Sequence, residues 1–234
     1  AIRKVENIME KGDFESYDMC EEYIRDAISV GELNNQDFEI FSELEALLEE
    51  DYRHPLATGI DGLDNILNGG LAKGEIGVVL APTGVGKTTL LTRFANTAYN
   101  MGYNVLQIFF EDNPKIIQRK HFTCWTGIPS QDLGEHKETV LDKADEMKKT
   151  GGRLILKKLP SDELNMLQIK NQVRKIISEG VKLDMVLIDY IDCIIPDRSF
   201  NDEWKGEGSV MRKFEGMCHE LNLAGWTATQ GNRS

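Results

Sequence analysis

The sequence predicts an α/β fold: a central, mainly parallel β-sheet flanked by helices, preceded by a small acidic helical segment. Three observations carry that prediction. Apolar β-rich runs alternate with helical stretches from Ile76 onward, the pattern of a parallel sheet covered on both faces. Between the first run and the first helix lies Ala81-Pro82-Thr83-Gly84-Val85-Gly86-Lys87-Thr88, a phosphate-binding loop in its strand-loop-helix setting. Residues 1–52 hold 16 acidic and 4 basic side chains, the whole of the formal net charge of −12 carried by this 234-residue chain.

We divide the chain accordingly into an acidic N-terminal segment or linker, 1–52, and a core, 53–234. The segment reads as three short helices at 2–11, 15–30 and 36–50, each with one apolar stripe: Ile2, Val5, Ile8 and Met9; Tyr17, Cys20, Ile24, Ala27 and Ile28; Phe38, Phe41, Leu44, Leu47 and Leu48. Gly12 and Gly31 are stops and Asn35 a cap. Such stripes pack on one another or on the core, or the first docks on a neighbouring subunit. His54-Pro55 and the Gly59/Gly62 region break the helical pattern.

In the core, turns at Asn68-Gly69-Gly70 and Lys73-Gly74 lead into the strand Ile76–Leu80. After the loop, Thr88–Tyr99 has apolar residues at helical spacing (Leu91, Phe94, Ala95, Ala98). The expected order is then strand 104–110, helix 114–125, a polar helix at 135–149, strand 154–159, helix 162–179, strand 183–189, helix 207–222 and strand 224–230. Ligands of such sheets bind at the carboxyl ends of the strands.

Within the loop, Gly84 and Gly86 can adopt backbone angles that side chains forbid, so that consecutive N–H groups turn toward bound phosphates at the positive end of the helix. Lys87 adds a point charge, and the Thr88 hydroxyl is placed to ligate a magnesium ion bridging the phosphates. Pro82, Thr83, Val85 and Thr89 complete the expected ATP-binding turn. Ala81 stands where glycine is more often found.

Three polar residues end strands. Glu111 is placed to accept a proton from, or to orient, the water that attacks the γ-phosphate. Asp189 ends Met185-Val186-Leu187-Ile188 and is the candidate second magnesium ligand, with Asp192 a rival beyond the β-run. Gln230 ends the last strand, where an amide can sense the γ-phosphate.

Composition narrows the rest. No apolar run reaches the length of a membrane span and no signal-peptide pattern opens the chain, so a soluble cytoplasmic protein is expected. The four cysteines and four histidines show no metal-ligand spacing. The chain begins without methionine and ends straight after an apolar strand, which reads as a fragment of a longer protein. With the excess negative charge confined to 1–52, any nucleic acid must meet a local basic surface on the core.

With these residues in place, 54–234 resembles the RecA-type ATPase core of hexameric replicative helicases, the DnaB-like family. The resemblance rests on Thr58-Gly59-Ile60-Asp61-Gly62-Leu63-Asp64, the phosphate loop, Phe109-Phe110-Glu111, Ile188-Asp189-Tyr190, Glu220-Leu221-Asn222, the strand ending at Gln230, and Asn232-Arg233. The polar insertion at 130–150 and Trp226-Thr227-Ala228-Thr229-Gln230 look most like the replicative helicases of T-even-type phages. Phe110-Glu111-Asp112 departs from the usual bacterial Leu-Glu-Met, and no recognisable primase-binding domain precedes the core.

The resemblance implies a motor that hydrolyses ATP with Mg2+ to move on single-stranded DNA and open a fork, as a homo-hexameric ring, with a primase or helicase loader as further partners. It implies Glu111, Lys87 and Gln230 as catalytic, Arg119 near the nucleotide, and a downstream arginine finger that this chain lacks, hence poor turnover alone. It also implies DNA-contacting loops at about 197–208 and from Asn232, which nominates Arg198, Lys205, Arg212, Asn232 and Arg233. Acidic neighbours balance the first loop, so a plain solvated loop competes with DNA contact; its Gly-rich composition predicts disorder without DNA. Trp204 either stacks on a base or, the favoured reading, tucks against the core. The leader at Thr58–Asp64 is shared with RecA/RadA-type recombinases and with clock-type regulatory ATPases of the KaiC kind, which remain alternatives.

Overall fold

The computed structural model describes residues 53–197 and 203–231, together with Val5, Glu6, Ile8, Met9, Cys20 and Ile24. The chain divides into two units, Ala1–Tyr52 and Arg53–Ser234. In the first, all six described positions are helical and fall in the expected helices 2–11 and 15–30. The expected helix at 36–50 lies outside the described residues.

The second unit runs α1 (Asp61–Ile66), β1 (Ile76–Leu80), α2 (Lys87–Asn100), β2 (Val105–Phe109), α3 (Pro114–Thr126), α4 (Lys137–Met147), β3 (Leu154–Lys158), α5 (Met166–Ser178), β4 (Met185–Asp189), α6 (Glu203–Glu220) and β5 (Ala224–Thr229). Short 3-10 turns occupy Asp132–Gly134, Lys148–Thr150 and Ile191–Cys193. The five strands form one sheet in the order β1-β5-β4-β2-β3, and every pairing is parallel. Among the described residues no helix is long and apolar enough to cross a membrane.

Period-two alternation along the central strands splits the core between the two faces of the sheet. Val105, Met185 and Leu187 join Leu91, Phe94, Ala95 and Ala98 of α2 on one face. Leu106, Ile108, Val186 and Ile188 join Ile169 and Val173 of α5 and Phe214 and Met217 of α6 on the other. Each large apolar side chain buried in this way contributes about 1.5–3 kcal/mol. On the first face Trp226 lies over Phe94 with ring centroids 4.5 Å apart. That indole reaches the sheet only because position 77 is glycine, since a Cβ there would sit 2.3 Å from the Trp226 ring.

Most departures from the expected elements are at their ends. The helix expected from 162 starts at Met166, because Asn165 and Gln168 form a reciprocal capping box that satisfies the first free N–H groups. The polar helix is shortened to Lys137–Met147. One element has no counterpart in the sequence reading: α1 lacks apolar periodicity. It is held by Asp64, whose carboxylate accepts hydrogen bonds from the Thr58 N–H (2.7 Å), the Thr58 hydroxyl (2.7 Å) and the Gly59 N–H (3.0 Å).

Two further expectations are corrected. The stretch expected as a loop at 197–208 is helical from Glu203, four residues before the expected start of α6. Trp204 does not tuck against the core: it lies in the first turn of α6 with 68% of its surface exposed, its ring beneath the Lys205 ammonium at 5.3 Å.

Candidate active site

The loop 81–88 leaves the carboxyl end of β1 and enters α2 with the backbone expected of its glycines. Gly84 has φ +82° and Gly86, the N-cap of α2, has φ +105°. A Cβ at Gly84 would meet nothing within 4 Å, so backbone angle rather than space requires glycine there. No acidic side chain occupies the first turn of α2, which leaves its positive end uncompensated for an anion. Lys87 donates from Nζ to the Ala81 carbonyl at 2.8 Å, so the ammonium lies along the loop. Pro82, Thr83 and Val85 belong to the same turn and Thr89 to the first turn of α2, with Thr83, Val85 and Thr89 exposed.

Sheet order sets what faces this loop. Because β5 pairs with β1 on one side and β4 on the other, the end of β5 stands beside the loop. The Thr83 hydroxyl donates to Gln230 Oε1 at 3.2 Å. One strand further, Asp189 is 7% exposed, and the Thr88 side chain lies close enough to lower its proton affinity. Burial raises its proton affinity, against the opposing pull of Thr88 and of the Lys120 charge. Asp189 is in register with Phe109 of β2, so Glu111 lies on the adjacent chain, past the end of β2. The Tyr190 hydroxyl donates to Glu111 Oε1 at 3.0 Å. Four elements that are distant in sequence thus place the loop, Gln230, Asp189 and Glu111 along one edge of the sheet.

Three residues at this edge have roles that the sequence does not assign. Asp192, a rival metal ligand by sequence, accepts from the Thr229 hydroxyl (2.7 Å) and the Gln230 N–H (2.8 Å) and so holds the end of β5. Lys120 pairs with Asp112 at 2.7 Å and its charge acts on Asp189. Arg119, the neighbouring residue nominated instead, is exposed and donates to the Ser130 carbonyl beyond α3. Helical phase separates the two, since adjacent residues point about 100° apart. The third is Tyr190, which follows Asp189 across a cis peptide bond. An aromatic residue directly after a strand-ending carboxylate is its only sequence signal.

Behind the site lies a buried polar cluster. His121 of α3 is 2% exposed, with Nδ1 2.6 Å from Asn96 Oδ1 of α2 and Nε2 3.0 Å from the Gln107 side-chain oxygen of β2. Asn96 Nδ2 donates to the His121 carbonyl at 3.3 Å, which fixes that amide and places the ring proton on Nδ1. A neutral ring donates once, so the consistent assignment turns the Gln107 amide to present Nε2, which otherwise has no partner. Burial lowers the His121 pKa to about 4.

Of the nominated DNA-contacting residues, Lys205 and Arg212 lie on α6 with exposed side chains. Arg198, Asn232 and Arg233 fall outside the described residues. The arrangement fits a nucleoside triphosphate with magnesium. Its parts are a left-handed Gly86 cap opening a helix, a lysine on the loop, and a hydroxyl beside a buried carboxylate, hard oxygen donors of the kind Mg2+ takes.

Residues 55–234 match the family model described as DnaB-like helicase C terminal domain. Replicative DNA helicase DnaB of Helicobacter pylori is 25% identical over 182 residues, covering 76% of this chain and 37% of that protein. DNA repair protein RadA of Aquifex aeolicus is 30% identical over 125 residues, covering 53% of this chain and 25% of that protein. Among solved structures, one described as an ATPase domain superposes with a TM-score of 0.67 at 16% identity, over 81% of this chain and 68% of that one. A DnaB-like replicative helicase, described with its interactions with primase, superposes with a TM-score of 0.69 at 16% identity, over 99% of this chain and 57% of that one. At such identities the structural likeness concerns the fold.

Proposed function

The chain belongs to the DnaB-like helicase C-terminal domain family, and from that premise we propose that it is the ATP-driven motor of a replicative DNA helicase. The observation that carries this reading is the meeting of the phosphate loop, Gln230, Asp189 and Glu111 on one sheet edge, inside the stretch that the family model covers. The chain spans 37% of the DnaB relative, so unwinding, ring assembly and partners are properties proposed for the whole protein.

In this reading the turn from Pro82 to Thr89 binds the phosphates of ATP through its N–H groups and Lys87. Thr88 and Asp189 would hold Mg2+, which when bound neutralises charge on the phosphate oxygens. Glu111 orients and deprotonates the attacking water. Gln230, bonded to Thr83, passes the state of the γ-phosphate to the chain that follows. Exposed Lys205 and Arg212, with Arg198, Asn232 and Arg233, are the proposed contacts to single-stranded DNA, each adding to affinity by counterion release. Arg119 is proposed to swing from Ser130 to the nucleotide. A homo-hexameric ring acting at the fork, with a primase or loader bound, completes the reading.

The test is ATP-dependent unwinding by the full-length protein of forks bearing only a 5′ or only a 3′ single-stranded tail. Unwinding that needs one tail and is lost in Glu111→Gln supports the motor. ATP turnover with no unwinding of either fork rejects it and leaves the recombinase reading, favoured by the RadA similarity, to be tested by strand exchange.

A further inference from the structure

We propose that Tyr190 is the positioning residue for Glu111: its hydroxyl holds one carboxylate oxygen so that the other is presented to the attacking water. Tyr190 directly follows Asp189 at the end of β4, and its hydroxyl donates to Glu111 Oε1 at 3.0 Å. The face of the same ring lies 5.8 Å from the Lys87 ammonium. One side chain therefore stands between the cation of the phosphate loop and the carboxylate that activates water.

The bond has a fixed direction. An ionised carboxylate has only acceptors to offer, so the Tyr190 hydroxyl is the donor and Glu111 Oε1 the acceptor. With Oε1 occupied, Oε2 is the oxygen left to accept. Glu111 is exposed and follows a strand without belonging to it, so it has no packing of its own to select a rotamer. A hydrogen bond from a neighbouring strand end is the restraint that the fold supplies. Catalysis is sensitive to such restraint, because a misplacement of about 1 Å costs on the order of 100-fold in rate.

This inference rests on the ATPase reading above, and the experiment separates the two. Steady-state ATP hydrolysis is measured on the full-length protein with single-stranded DNA for wild type, Tyr190→Phe, Glu111→Gln and the double variant. Tyr190→Phe keeps the ring beside Lys87 and removes only the donor. The expected result is a kcat lower by roughly 10- to 100-fold, KM for ATP within about twofold, and an unchanged melting temperature. Placed on Glu111→Gln, the same change lowers the rate no further, since the carboxylate it positions is already gone.

A wild-type kcat in Tyr190→Phe overturns the proposal. So does a loss confined to KM, which would assign Tyr190 to Lys87 and nucleotide binding instead, and so does a loss that simply multiplies with Glu111→Gln. Full turnover in Glu111→Gln alone would reject the assignment of Glu111, whatever Tyr190 does. If Tyr190→Phe melts early, Tyr190→Trp, which retains an aromatic N–H donor, is compared at a temperature where both are folded. Recovery of kcat toward wild type supports the proposal, and equal loss in both variants overturns it.

Discussion

Thr83 on the phosphate loop donates a hydrogen bond to the side chain of Gln230 at the end of β5, 3.2 Å away and 147 positions later in the chain. Asp192 holds the Gln230 backbone from the other side at 2.8 Å. Gln230 therefore spans the distance between the phosphate loop and the turn after β4. If this is how the γ-phosphate is reported, Gln230→Ala leaves nucleotide affinity within about threefold while abolishing stimulation of turnover by single-stranded DNA. Paired binding and ATPase titrations read the two effects separately.

Lys87 lies along the loop with its ammonium on the Ala81 carbonyl, within reach of a bound phosphate by rotation about its side-chain bonds. Replacing it with alanine removes a charge-assisted hydrogen bond of about 1.5–3 kcal/mol. A fluorescent ATP analogue should bind Lys87→Ala roughly 10- to 100-fold more weakly, with the thermal unfolding curve unchanged.

Asp189 is a buried carboxylate whose charge costs stability. Burial raises its pKa in the folded state above the ordinary value of 3.8. The stabilisation that follows from this shift is present below the ordinary value and is lost as pH rises through the raised one. At neutral pH the ionised group therefore weighs against the fold. Asp189→Asn should melt higher than wild type at neutral pH, with the difference shrinking as pH falls toward 3.8, while ATP hydrolysis is lost. Melting curves across that pH range test the sign.

His121 shifts the opposite way for the same reason. Its folded pKa of about 4 lies below the ordinary 6.5, so the unfolded chain binds the proton first. The stability this neutral ring contributes is present above 6.5 and drains away as pH falls through 4, amounting to roughly 3 kcal/mol. Asp189, whose pKa burial raises, also makes stability depend on pH, so the measurement is the difference between wild type and His121→Gln. Denaturant unfolding of the variant should show a flatter pH dependence between about pH 6.5 and pH 4.

Gly77 tests the packing that sets β1 against β5. A methyl group there would fall 2.3 Å from the Trp226 ring, and a flat indole already packed at a tilt against Phe94 has little room to retreat. Gly77→Ala should cost about 1–3 kcal/mol in chemical unfolding. The smaller ring of Trp226→Phe should return part of that loss in the double variant.

The signals legible in the sequence are those encoded locally. The strand Ile76–Leu80 reads with its observed bounds, and the two loop glycines of positive φ are recognisable, because apolar period and glycine content are properties of a few adjacent residues. Glu111, Asp189 and Gln230 are nominated by position alone, as polar residues closing apolar runs, and each stands at a strand end on the same edge. Ranges slip where a side chain acts across the helix boundary, as Asn165 and Gln168 do at α5. Nothing in the sequence pattern signals α1, because its support is a carboxylate network with no hydrophobic period.

Spacing within single segments is enough to specify the alternation of strands and helices, the phosphate loop, and the acids and amide that close the strands. Which of those ends meet is a property of packing alone. The order β1-β5-β4-β2-β3 puts the last strand beside the first, and no local pattern states that β5 inserts there. That insertion brings Gln230 to Thr83, while the neighbouring pairings bring Asp189 to Thr88 and Tyr190 to Glu111. It is also packing that leaves Lys120 rather than Arg119 facing the acids, because the rotation of a helix is set by the surface against which it lies.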